Sequence, residues 1–299
     1  MNTASRSTDT RRPRVSIGMP VYNGARWLAA AIEAQLAQTY GDFELIIADN
    51  RSTDDSWAIC QGYAARDPRI RLIRNARTVG AYENFNVVFR PARGEYFRWA
   101  SCNDLSAPTL LERCVAVLDD RPDFVLCHAR TRLIDAQGTV IEDYPVEMQI
   151  DDAKPVARYR QYLDRVRLNN VEQGLVRREV LAGSMLQRNF LNNDTLLMAE
   201  LTLYGKFHEV PEFLFFRRMG TEATTKFRTN VEIAEFYQPS RGPLTWQAWR
   251  WFSAQAGMIV RAPLGWREKA ELWSHFLRMI RWSLGRKGSA KQAVRADGA

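Results

Sequence analysis

Apolar residues in the first third of the chain alternate, then recur at helical spacing, then alternate again. Val15, Ile17, Met19 and Val21 alternate with Ser16, Gly18 and Pro20, the period of a strand. Pro20 cannot donate to a ladder, so this strand is expected to end there. Leu28, Ile32 and Leu36 return every four residues, with Trp27 and Ala31 widening an apolar helical face. FELIIA (43–48) is a continuous run of the buried-strand kind, and it stops abruptly at Asp49-Asn50. Ser52-Thr53-Asp54-Asp55 reads as a capping box for a helix that carries Trp57, Cys60 and Ala64.

The rhythm continues. IRLIR (70–74) predicts a third strand, 80–89 a helix, and YFRWA (96–100) a fourth strand ending in Ser101-Cys102-Asn103-Asp104. Pro108 starts a helix with Leu110, Leu111, Cys114, Val115 and Leu118 on one side, and Phe124–Cys127 is a fifth apolar run. This alternation predicts an α/β fold, a mostly parallel sheet with helices on both faces. Ligands of such sheets sit at the carboxyl ends of the strands, where Pro20–Gly24 and Asp49–Asp55 both fall. After Asp135 the pattern loosens, and it predicts a helix over 158–168, a strand over 171–178, a helix over 192–205 and a strand over 210–218. The chain thus divides into a polar arm (1–14), a first half (15–108), a second half (109–237) and a helical tail (238–299).

Charge changes this picture only at the ends. The net charge is +8, but residues 241–299 hold eleven Lys/Arg against three Asp/Glu and so account for the excess. A nucleic-acid partner is therefore not expected, because the body is not basic. The four cysteines have no metal-ligand spacing and read as buried thiols of a reducing compartment. No apolar run approaches the ~18 residues of a membrane span, and a cytoplasmic protein is expected.

The motifs narrow the chemistry. PVYNG offers one glycine, not the spacing of a dinucleotide loop, and neither a Walker loop nor a GxSxG elbow is present. A phosphate-bearing ligand here needs a metal or arginines as its charge partner. Beyond these exclusions, residues 15–108 resemble the donor half of a family-2 glycosyltransferase of the GT-A fold. PVYNG at 20–24, the strand ending in Asp49, Ser52-Thr53-Asp54, TVGAYEN with Gly80 and Asn84, ARGEY at 92–96 and WASCNDLSAP carry the likeness in order and spacing. Weaker likeness runs on to Arg218 through LIDAQG, GLVRREVL and NNDTLLMAEL.

The resemblance implies an inverting enzyme that moves a sugar from a nucleotide-diphosphate donor, a UDP-sugar, to a hydroxyl of a glycan or lipid-linked acceptor. Asp49 matches the aspartate that reads the base, and a carboxylate can accept the imide N–H of uracil. Pro20, Tyr22, Asn23, Ser52, Asp54, Gly80, Asn84, Asn103 and Arg218 match the rest of the donor site, with Asp54 equally explained as a helix cap. Asp194 matches the acid placed to take the acceptor's proton, with Glu200 second; Arg217 and Arg218 could neutralise the leaving diphosphate.

A divalent cation, Mn²⁺ or Mg²⁺, is implied as cofactor, but the usual Asp-X-Asp reads Ser101-Cys102-Asn103, which leaves Asp104 and Asn103 as ligands. That departure keeps open a second reading, a catalytically weakened GT-A protein acting as a nucleotide-binding or assembly subunit. Single, non-processive additions are expected, on the ground that no QxxRW-type motif is recognised after the catalytic region. In the tail, Trp266, Ala270, Trp273, Leu277 and Ile280 form one helical stripe opposite Arg267, Glu271, Ser274, Arg278 and Arg281. That pattern suits either a membrane surface or packing on the body.

Overall fold

A computed structural model of the chain describes residues 12–220, 247–278 and 280. Strand β1 (Val15–Val21), helix α1 (Ala25–Leu36), β2 (Phe43–Asp49), α2 (Ser56–Ala64), β3 (Ile70–Arg74), α3 (Ala81–Phe89) and β4 (Tyr96–Trp99) follow the predicted order. β1 pairs in parallel with both β2 and β4, and β2 with β3. β1 ends one residue past Pro20, about where the proline predicts. Its pairing with β4 stops at Gly18↔Trp99, so its missing N–H falls beyond the neighbour's last rung. Gly18 is required by close packing, since a Cβ there would lie 2.7 Å from Val88 Cγ2.

The second half makes the sheet mixed. It adds β5 (Leu105–Ser106), α4 (Leu110–Asp120), β6 (Phe124–Ile134), β7 (Val140–Asp143), α5 (Pro155–Arg165), β8 (Leu175–Arg177), α6 (Arg178–Ala182), α7 (Asn193–Leu201) and β9 (Lys206–Arg218). The strand order is β3-β2-β1-β4-β8-β6-β9-β5, with β7 on β6. β6 and β9 are parallel, whereas β8 runs antiparallel to β4 and β6, and β5 antiparallel to β9. The expected strand over 171–178 is a single 3₁₀ turn (Asn170–Gln173) followed by the three residues of β8.

Arg98 ties this sheet to the loops beyond it. Its side chain is buried, and it donates to Gln35 Oε1 (2.6 Å), Ser106 Oγ (2.8 Å) and the Gln173 carbonyl (2.7 Å). Burial pushes the guanidinium down to about 10. With its donors satisfied, this charge fixes β4 against α1, β5 and the 3₁₀ turn.

Helix α8 (Gln247–Arg261) and a helical stretch over 266–278 close the described chain. Ala254, Met258, Ile259, Ala262, Leu272 and Phe276 are buried in one cluster with Tyr159, Leu196 and Leu201 of α5 and α7. Glu200, fully buried, accepts from Arg261 Nη2 (2.9 Å) and from the Met185 N–H (2.8 Å), so it anchors α8 and is no candidate base. The expected tail stripe packs only in part, with Trp273 and Ile280 half-buried against the core. Leu272 and Phe276, one turn apart, are buried, while Trp266 is 76% and Leu277 51% exposed and Trp273 lies between the two faces.

Candidate active site

The two loops beyond β1 and β2 are laced together by their own polar groups. The Asn23 N–H donates to Ser52 Oγ (3.0 Å), Gly24 N–H to Ser56 Oγ (2.9 Å), and Thr53 N–H to Asn23 Oδ1 (2.8 Å). Asn23 (φ 49°) and Arg51 (φ 67°) adopt the left-handed region to make these turns. Asp54 does the most. Its Oδ2 accepts from the first N–H of α1 (Ala25, 3.0 Å) and its Oδ1 from the first of α2 (Ser56, 3.0 Å). The capping box expected from Ser52 is therefore not formed; one carboxylate serves two helix starts.

Burial raises the Asp54 carboxyl, but hydrogen bonds from Ser56 and Ala25 outweigh it and hold the group below its ordinary value. Its contribution to stability is thus present above the unfolded-state value and lost as pH falls through the lower folded one. Asp54→Ala should cost about 1–3 kcal/mol in chemical denaturation near neutral pH, as two lost caps imply; an unchanged midpoint would contradict this role.

Asn84 and Gly80 stand behind the same edge. Asn84 is buried, donates to the Ala48 carbonyl (3.0 Å) and accepts from Asn75 Nδ2 (2.9 Å), while Gly80 starts α3. Pro20 is buried in β1, and Tyr22 is 42% exposed at the mouth. Asp49 is fully buried at the end of β2. Its Oδ1 accepts from the Ser52 N–H (3.2 Å). Arg74 Nε lies 3.2 Å from Oδ2 but is poorly aligned, so that oxygen has no hydrogen bond. The Arg74 guanidinium in turn stacks over Trp57, 4.9 Å from the ring centre.

Across the edge, the turn after β4 meets the end of β9. Ser101 Oγ donates to Asn103 Oδ1, and the Ser101 N–H donates to Gln173 Oε1 (3.1 Å). Asp104 Oδ1 accepts the Arg218 N–H (2.7 Å). The Arg218 side chain is buried behind this turn, donating to the carbonyls of Asn103 (2.9 Å) and Asp135 (2.6 Å) and lying 5.3 Å over the Trp27 ring. Burial raises the Asp104 carboxyl, with Arg217 and the Arg218 N–H pulling it back.

This turn is a poor fit to a divalent cation. It brings one carboxylate, partly spent on a backbone N–H, and an amide oxygen already taken by a hydroxyl. Among the described residues no group of three or more His, Cys, Asp or Glu is placed to hold a metal.

Asp194 begins α7 on the far side of the 3₁₀ turn, with Oδ2 accepting from Asn169 Nδ2 (3.1 Å). Glu172 within that turn accepts from Gln187 Nε2, and Gln187 Oε1 accepts from Asn193 Nδ2. Burial first, and then the charge of Asp194, push the Glu172 carboxyl up to about 8. Arg217 donates to Asn170 Oδ1 (2.8 Å) and opposes that rise. No motif marks Glu172 or Gln173, which sit in a stretch whose pattern predicts a strand.

Beside Asp194 lies a cavity of about 290 Å³, lined by Leu163, Val166, Arg167, Asn192, Thr195 and Trp251 among others. Trp251 draws attention to its own segment. Gln247, Arg250 and Trp251 do read Q-x-x-R-W at the start of α8, so the stated ground for single additions falls.

Comparison with known proteins decides the family. The model of glycosyl transferase family 2 matches residues 16–190, more than half of the chain. The chain belongs to glycosyl transferase family 2. It is 40% identical over 108 residues to the putative glycosyltransferase EpsE of Bacillus subtilis, 36% of this chain and 39% of that one. It is 31% identical over 137 residues to the chondroitin synthase of Escherichia coli, covering 46% and 20% of the two chains. The chain thus spans well under two thirds of these curated relatives.

The fold resembles that of S. aureus TarS, solved in complex with UDP, with TM-score 0.60 and 14% identity over 88% of this chain and 70% of that one. It also resembles the mannosyltransferase PcManGT of Pyrobaculum calidifontis, solved with GDP-Man and Mn²⁺, with TM-score 0.52 and 17% identity over 94% and 81%. This family 2 member has a fold of GT-A type, and among its described residues no helix is long and apolar enough to cross a membrane.

Proposed function

We propose that this glycosyltransferase takes a UDP-sugar and transfers the sugar, with inversion, to a hydroxyl of a glycan or lipid-linked acceptor. The observation that carries the reading is Asp49 Oδ2, a buried carboxylate oxygen without a hydrogen bond at the end of β2, which has a parallel neighbour on each side. Such an acceptor suits the imide N–H of uracil, with Arg74 swinging off the carboxylate and Tyr22 flanking the ring. Asn23, Ser52, Asp54, Gly80 and Asn84 serve the donor by holding the loops that frame it. TarS, solved with UDP and with UDP-GlcNAc, supports the donor class.

In the transfer, the acceptor hydroxyl oxygen bonds to the anomeric carbon as the bond from that carbon to the diphosphate oxygen breaks. The electron pair leaves with UDP, and Asp194 takes the hydroxyl proton. The cavity beside Asp194, with Trp251 as an aromatic wall, is where the acceptor approaches. Calorimetry with UDP tests the reading: binding supports it, and its absence refutes it. Binding without any turnover of a UDP-sugar favours the second reading, an assembly subunit, which the altered Ser101–Asp104 turn motivates.

Glu172 gives the reaction a pH dependence. Its carboxyl is neutral below about 8, and above that a second negative charge joins Asp194 and opposes the donor diphosphate. UDP affinity should therefore fall as pH rises through about 8, and Glu172→Gln should flatten that arm. An alkaline arm that survives the substitution would overturn the assignment. On the stability side, a raised carboxyl loses its favourable contribution as pH climbs from the ordinary carboxylate range to the folded value.

For the tail, we propose contact with an anionic membrane surface through exposed Trp249, Trp266 and Leu277. Truncation would strip the core of Met258 and Phe276, so the clean test is Trp249→Ser with Trp266→Ser. Co-sedimentation with phosphatidylglycerol vesicles should drop several-fold with UDP binding intact, whereas equal sedimentation would refute the contact.

A further inference from the structure

We propose that this enzyme holds the donor diphosphate with arginine in place of a divalent cation. The inference rests on the nucleotide-sugar reading above. Ser101-Cys102-Asn103-Asp104 supplies one carboxylate, and the charges around it are cationic. Arg218 donates its backbone N–H to Asp104 and its side chain to the Asn103 carbonyl, so a buried guanidinium sits directly behind the turn. Arg217 acts through space on both Asp104 and Glu172.

The turn's own carboxylate is met by two guanidiniums, with Asp135 the other acid acting on Arg218. A divalent cation placed there would meet two like charges and few anionic ligands. A diphosphate meets the opposite situation, because a guanidinium presents a planar fork of N–H donors to phosphate oxygens.

The two arginines divide the work. Adjacent residues of a strand point to opposite faces, and the contacts follow that rule. Arg218 turns toward Asn103, Asp135 and Trp27 and braces the turn. Arg217 turns toward Asn170 Oδ1, and its charge acts on both Asp104 and Glu172. The leaving diphosphate must gather charge in that space, so Arg217 is the residue that stands in for the metal.

The test is calorimetry of the full chain with UDP, in EDTA and in excess Mn²⁺. The expected result is an affinity that differs by less than about threefold between the two, since no ion adds a contact to the diphosphate. Arg217→Gln should weaken UDP by roughly tenfold or more, as the loss of a charge-assisted hydrogen bond implies. The double change Ser101→Asp with Asn103→Asp should create a Mn²⁺ dependence that the parent lacks.

Tighter UDP binding by the parent in Mn²⁺ than in EDTA, by more than about threefold, overturns the proposal without touching the nucleotide reading. So does an Arg217→Gln chain that melts normally and binds UDP as the parent does. The comparison of EDTA with Mn²⁺ needs no variant, so a misfolded substitution does not blunt it. Failure of UDP to bind under either condition removes the proposed function and this inference together.

Discussion

Asp194→Asn should lower turnover by about 100- to 10,000-fold, the usual contribution of a positioned general base, while leaving UDP affinity unchanged. The substitution is isosteric, and Asn169 Nδ2 can donate to the new amide oxygen as it does to Asp194 Oδ2. The helix start should therefore persist, and only the ability to accept a proton is lost. Steady-state kinetics against a UDP-sugar check it. A parent-like rate would move the base elsewhere. Glu200 is excluded from that role by its burial and its bonds to Arg261 and the Met185 N–H.

Asp49→Ala should weaken UDP by about 1–3 kcal/mol, the cost of leaving a buried N–H without its partner. The variant also frees Arg74 and removes an acceptor from the Ser52 N–H, so its melting curve must accompany the titration. Weaker binding by a folded variant assigns Asp49 to the base. Equal binding would make Asp49 a turn cap and nothing more.

The donor half was legible because its signals are local. Leu28, Ile32 and Leu36 mark α1, FELIIA marks β2, and the strand's abrupt end places Asp49 at the sheet edge. The second half was read less well for the opposite reason. The apolar run Phe124–Cys127 marks only the start of β6; beyond it His128, Arg130 and Arg132 alternate with Ala129, Thr131 and Leu133, a period-2 signal that carries the strand to Ile134. β8 is three residues long, and its place between β4 and β6 is set by partners far away in sequence.

Side-chain roles in the loops were less legible still. Asn23, Ser52 and Asp54 are motif residues, but their bonds run to each other and to helix starts about thirty positions away. Nothing in a window of sequence shows such partners. The tail was legible only in part: Trp273 and Ile280 of its stripe pack against the body, but Leu272 and Phe276 are its buried contacts, and Trp266 and Leu277 stay exposed.

The central claim is that this family 2 member transfers sugar from a UDP-linked donor. Its most direct test is to incubate the full chain with individual UDP-sugars and follow release of UDP by ³¹P NMR, beside the Asp194→Asn chain. The account predicts that at least one UDP-sugar is turned over by the parent and far more slowly by the variant. Turnover of none of them, or equal release by both chains, would contradict it.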